Sequence, residues 1–103
     1  MSEHKLQNEI RIYLSKLGFT VFRINVGKIK MPDGRYFDSG VPAGFSDLFA
    51  IKDGKAYFIE VKFGKGKPSE KQLNFIKQMN RQGCVAGIVW NIEDVKQLIG
   101  SRH

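Results

Sequence analysis

Apolar positions recur at helical spacing from Glu3 to Leu17, where Leu6, Ile10, Tyr13, Leu14 and Leu17 share one face. Ser2 precedes this run as an N-cap and Gly18 follows it as a C′ residue, so the pattern predicts a first helix. The period then changes. "FTVFRINV" (19–26) is rich in β-branched and aromatic types and predicts a strand. The next stretch, "GKIKMPDGRYFDSGVPAG", carries a Pro-Asp-Gly turn signal at 32–34 between two short arms, and reads as a small hairpin or mobile loop. "SDLFAI" (46–51) and "AYFIEVKF" (56–63) flank Lys52-Asp53-Gly54-Lys55, a strong hairpin signal. "GKGKP" is a loop. Ser69 and Gln72 form a capping box that opens a second helix, with Leu73, Ile76 and Met79 inward and Gly83 at its end. "CVAGIVW" (84–90) is a further strand, and Asn91 caps a last helix carrying Val95, Leu98 and Ile99. The order is α-β-β-β-α-β-α, with no repeat or linker.

The two strands around Asp53-Gly54 place charge. With a two-residue loop, Lys52 pairs with Lys55, Ile51 with Ala56, Ala50 with Tyr57, Phe49 with Phe58, Leu48 with Ile59 and Asp47 with Glu60. Both faces are then apolar except at one end, where Asp47, Glu60 and Lys62 share a face. Opposed residues have Cβ atoms ~5 Å apart, so two carboxylates there repel unless something lies between them. They can bracket one Mg²⁺ or Mn²⁺, hard cations with a preference for oxygen ligands. Such an ion polarises a phosphoryl oxygen and lowers the pKa of water, and Lys62 can orient that water or stabilise charge developing on a phosphate. The plain alternative is an ion pair of Lys62 with Asp47 or Glu60 at a frayed hairpin end, contributing little. The opposed aspartate, the apolar neighbours and the basic chain favour the metal site.

Composition narrows the partner. The chain has 103 residues, enough for one domain (1–103) with one core, and its apolar fraction of 42% fits a folded globule. A net charge of +7, from lysines spread over several segments, suggests a polyanionic partner and nucleic acid before membrane. The single Cys84 excludes an internal disulfide and a multi-cysteine zinc site, and fits a reducing compartment. No apolar run approaches membrane-spanning length and no secretory signal opens the chain, so a soluble intracellular protein without a membrane partner is expected. His4 and His103 lie at the chain ends, and neither forms a metal-ligand spacing. Cys84 and Trp90 bound a core strand and are expected to pack.

Strand-borne Asp47 followed by Glu60-Val61-Lys62 after a hairpin resembles the PD-(D/E)XK nuclease superfamily, and more narrowly a stand-alone VRR-NUC domain of the bacterial and phage type. The resemblance covers nearly the whole chain: Glu9 in the first helix, "RINVG" (23–27), "GFSDL" (44–48), "EVK" (60–62) and Gln72. Ser46 departs from the pattern by standing where proline precedes the aspartate. The resemblance implies an α/β, restriction-endonuclease-like αβββαβα core with a mixed central sheet flanked by helices. It also implies a metal held by Asp47, Glu60, the Val61 carbonyl and Glu9, with Lys62 as the catalytic lysine and Gln72 near the site. Read from spacing alone, Glu9 is a surface glutamate beside the buried face, and Gln72 is a capping residue.

Lys28, Lys30 and Arg35 in the long loop, with Lys65, Lys67 and Lys71 around the second helix start, are candidates for phosphate contacts. No helix-turn-helix or zinc-finger pattern offers base readout, so recognition by DNA shape is expected. Small stand-alone members of the family resemble Holliday-junction resolvases, which implies branched or structured DNA, no small-molecule cofactor, and action in the cytoplasm, either of a bacterium or, for a phage-encoded protein, of its host. Symmetric cleavage of a four-way junction needs two sites, most simply a C₂ homodimer, with the aromatic-rich segment 28–38 as a candidate face. Two alternatives stand beside it. One is a nuclease preferring flaps or nicked duplex. The other is a non-catalytic binder of double-stranded RNA, whose domains also run α-β-β-β-α and whose basic loop resembles "GKGKPSEKQ". Such a binder has no use for opposed carboxylates or for the strand at 84–90.

Overall fold

The computed structural model describes residues 1–100; His103 lies outside them. Helix α1 (Glu3–Lys16) starts at Ser2, whose hydroxyl accepts from the Lys5 amide, and buries Leu6, Gln7, Ile10 and Leu14. Strand β1 spans Thr20–Arg23 only, shorter than the predicted 19–26. Pairing continues for one residue, with the Ile24 amide donating to the Asp47 carbonyl at 2.8 Å; beyond it the chain turns away. The following stretch forms a hairpin of β2 (Lys28–Lys30) and β3 (Tyr36–Asp38), a two-stranded sheet of its own.

Strands β4 (Leu48–Lys52) and β5 (Lys55–Val61) pair in the predicted register, from Leu48 with Ile59 to Lys52 with Lys55. The turn explains that register. Asp53 and Gly54 both have positive φ (52° and 75°), the conformation of the two-residue turn whose twist matches the strands. Helix α2 (Glu70–Arg81) carries the predicted capping box, and leads to β6 (Val85–Val89), which pairs with β5 in parallel. Helix α3 (Ile92–Gly100) closes the described chain. The main sheet runs β1-β4-β5-β6 and is mixed, because only the β5–β6 pair is joined by a helical crossover.

The two faces of β5 meet different partners. Tyr57, Ile59 and Val61 join Leu6, Ile10, Leu14, Val85, Val89 and Val95 in the core beneath α1 and α3. Each such aliphatic side chain contributes about 1.5–3 kcal/mol by leaving water. Phe58 and Glu60 face α2 instead. There Phe58 meets Phe45 and Phe75 edge-on, at centroid distances of 5.7 and 5.5 Å. This aromatic cluster sets the rotation of α2. Phe75 turns inward, and Leu73, predicted to face the core, is 41% exposed. Trp90 is likewise not packed in the core: it is 38% exposed, and its indole N–H donates to the Gly66 carbonyl at 3.1 Å.

Candidate active site

Asp47 lies one residue before β4, between β1 and β5. Its carbonyl accepts from Ile24, and its carboxylate Oδ2 accepts from the Val61 amide at 2.9 Å. The carboxylate thus takes a ladder position that a backbone carbonyl would otherwise fill, which fixes it at the end of the sheet. Ser46, fully buried, donates its hydroxyl to the Leu48 carbonyl at 3.2 Å and shapes the entry into β4. On the other side, Gly44 brings the approaching loop against α2. Its φ is +96°, and a Cβ there would lie 2.7 Å from the Lys71 carbonyl oxygen.

Glu60, in the penultimate position of β5, is 1% exposed. Its Oε2 accepts from the Lys62 ammonium at 3.2 Å and from the Gln72 amide at 3.0 Å. Its Oε1 is buried with no hydrogen-bond partner. Burial, and after it the Asp47 charge, push the Glu60 carboxyl up to about 7, against the opposing pull of Lys62. Asp47, Glu60, Val61, Lys62 and Gln72 therefore gather at one end of the sheet. The paired register stops at Leu48–Ile59, one position short of the expected Asp47–Glu60 pair, with the Asp47 carboxylate on the Val61 amide and Gln72 reaching in from α2.

Gln72 holds both of the positions open to it in the sequence. Its Oε1 accepts from the Ser69 amide at 2.9 Å, completing the capping box, while its Nε2 supports Glu60. The helix carboxylate behaves differently. Glu9 is exposed, and among the described residues no three His, Cys, Asp or Glu side chains gather as a metal group, so Glu9 does not join Asp47 and Glu60. The helix instead presents Gln7, which sequence reading passed over. Gln7 stands three residues before Ile10 and seven before Leu14, so a polar residue bordering the apolar stripe was the available signal.

A cleft of about 370 Å³ opens beside Asp47, lined by Gln7, Arg23, Asn25 and Ile29 among others. Arg23 and Asn25, inside the quoted "RINVG", thus reach the same space. A larger groove of about 630 Å³ lies along α1 near Asn8, Arg11 and Ile12 and holds none of the carboxylates. The basic residues Lys28, Lys30, Lys65, Lys67 and Lys71 are exposed. Arg35 is also exposed, but its guanidinium is held by Asp33 at 2.7 Å, within the same turn.

The donor set fits a hard divalent ion. Asp47 and Glu60 offer carboxylate oxygens, the buried Oε1 of Glu60 has no hydrogen-bond partner, and the burial and Asp47 charge that together raise Glu60 are of the kind a cation offsets.

The mixed sheet flanked by helices, with a carboxylate-and-lysine cluster at its end, defines a restriction-endonuclease-like α/β fold. That fold is shared with a solved VRR_NUC domain. The match covers all of this chain and all of that domain at a TM-score of 0.70, with 22% identity. Archaeoglobus fulgidus Hjc, a Holliday junction resolvase from an archaeal hyperthermophile, matches 85% of this chain and 67% of its own at a TM-score of 0.58, with 18% identity. No family model matches the sequence, and no curated protein matches it. The RNA-binding alternative does not have this architecture, because β6 is an integral strand beside β5. Among the described residues, no helix is long and apolar enough to cross a membrane.

Proposed function

We propose that this chain is a nuclease domain that hydrolyses phosphodiester bonds in structured DNA with Mg²⁺ or Mn²⁺, most specifically at four-way junctions and as a homodimer. One observation carries the reading. A buried glutamate, Glu60, keeps one oxygen without a protein partner while Lys62 and Gln72 hold the other and Asp47 stands beside it. A carboxylate kept only for packing would be expected to have both oxygens satisfied.

In this reading Asp47, Glu60 and the Val61 carbonyl hold the divalent ion, which supplies Lewis acidity toward the phosphoryl oxygens and toward water. Asp47 is kept in place by the Val61 amide, so it need not reorganise when substrate arrives. Lys62, its side chain only 14% exposed, is positioned by Glu60 to orient the attacking water and to meet charge developing on the phosphate. Gln72 keeps Glu60 from rotating away. Glu9, at an exposed position, has no part in this arrangement.

Lys65, Lys67 and Lys71, around the start of α2, and Lys28 and Lys30 on the hairpin neutralise backbone phosphates, while Arg35 needs first to leave Asp33. Exposed Tyr36 and Phe37 (66% and 56%) on the same hairpin support its role as a dimer face. Similarity to the archaeal resolvase favours the four-way junction over flaps and nicks. The test is a panel of labelled four-way junction, flap, nicked duplex and linear duplex, each with Mg²⁺, Mn²⁺ or chelator. Metal-dependent cutting led by the junction is expected. Metal-independent binding with no cutting of any substrate would overturn the reading.

A further inference from the structure

Two side-chain oxygens among the described residues are buried without a hydrogen-bond partner, Glu60 Oε1 and Gln7 Oε1. They lie on different elements, yet both neighbour Asp47: its charge acts on Glu60, and Gln7 shares with it the cleft beside β1. Gln7 is 8% exposed, locked on α1 between Leu6 and the fully buried Ile10. A buried polar atom left unpaired costs about 1–3 kcal/mol. A glutamine serving only as packing could be replaced by leucine or methionine at that point without this cost.

The geometry points to Gln7 as a further oxygen donor of the metal site, a neutral amide supplied by α1 on the Asp47 side. This inference rests on the metal-dependent reading given above. An amide carbonyl is an accepted ligand for hard divalent ions, and the two carboxylates are not joined by a third acidic, histidine or cysteine side chain among the described residues. The donor set is then two carboxylates, a backbone carbonyl and an amide. Its charge is −2 rather than the −3 of a site with a helix carboxylate. The site therefore binds its ion more weakly than it could, and a carboxylate at position 7 should tighten it.

Mn²⁺ binding to the full chain, followed by the loss of the free-ion paramagnetic resonance signal, tests this without reference to cleavage. Gln7→Leu and the near-isosteric Gln7→Met are expected to weaken Mn²⁺ binding about tenfold, as removal of a metal-site partner does, and Gln7→Glu to strengthen it. Thermal melting of the same samples reports folding. If Gln7→Leu does not fold, Gln7→Met decides. Parent-like Mn²⁺ affinity in the folded hydrophobic variants would overturn the role of Gln7 while leaving the site of Asp47 and Glu60 intact. Failure of the parent chain itself to bind Mn²⁺ would overturn both.

Discussion

The side-chain amide of Gln72 joins the start of α2 to the buried carboxylate of β5, accepting from the Ser69 amide at 2.9 Å while donating to Glu60 Oε2 at 3.0 Å. One residue thus closes a helix cap and holds a buried carboxylate. The two roles separate by mutation. Ser69→Ala breaks the other half of the cap, in which the Ser69 hydroxyl accepts from the Gln72 amide at 3.1 Å, and leaves the Glu60 contact. It is expected to cost about 1 kcal/mol of stability with DNA cleavage preserved. Gln72→Ala is expected to destabilise similarly and also to lower kcat/KM for junction cleavage about tenfold. Urea unfolding and cleavage kinetics on both variants check this; equal kinetic losses would place Gln72 in the cap alone.

Glu60 gives the metal-free protein a pH-dependent stability. Its carboxyl titrates at about 7 when folded, against an ordinary value of 4.5. Between those values the folded state binds the extra proton, so stability is full below about pH 4.5 and is lost as pH rises through about 7. Urea unfolding in chelator from pH 5 to 8.5 should show this decline, and Glu60→Gln should flatten it. An unchanged slope in the variant would assign the decline to other groups.

Gly44 is the tightest backbone approach behind the site. Gly44→Ala forces a side chain into φ +96° and drives a Cβ against the Lys71 carbonyl. The expected cost is about 1–3 kcal/mol, read as a lowered melting temperature. Gly34→Ala, at φ +90° but with nothing within 4 Å of its Cβ, separates the strain of the conformation from the contact.

Lysines that neutralise phosphates should act on affinity and not on preference. Lys65→Ala and Lys67→Ala are each expected to weaken junction binding and to reduce the slope of log K against log salt by about 0.9. Fluorescence anisotropy over a salt series in chelator measures both. Loss of affinity with an unaltered slope would assign these side chains to something other than phosphate contact.

Much of the site was legible because one turn fixes it. Asp53-Gly54 admits a two-residue loop, and every pair from Lys52–Lys55 to Leu48–Ile59 follows; Asp47 lies one position beyond the ladder, its carboxylate on the Val61 amide beside Glu60. The capping box at Ser69 likewise fixed Gln72 in the first turn of its helix. Rotation about a helix axis was less legible. Gln7 and Glu9 flank the same stripe of Leu6, Ile10 and Leu14, and only the packing of α1 against the sheet buries one and exposes the other. The same holds for α2, where the cluster of Phe45, Phe58 and Phe75 draws in Phe75 and leaves Leu73 outside. The short length of β1 has a comparable cause, since its end is set by the departure toward the β2–β3 hairpin and not by the run of β-forming residues.

The proposed metal-dependent phosphodiesterase site of Asp47, Glu60 and Lys62 meets its sharpest test in Glu60→Gln. That change keeps the shape of the side chain, removes its charge from a buried position, and should leave the fold as stable as the parent or more so at pH 8. A labelled four-way junction should be cut by the parent with Mg²⁺ or Mn²⁺, with cutting abolished by chelator and reduced at least about a hundredfold, roughly 2.7 kcal/mol, in folded Glu60→Gln. Cleavage by Glu60→Gln at the parent's rate, or by the parent in chelator, would contradict it.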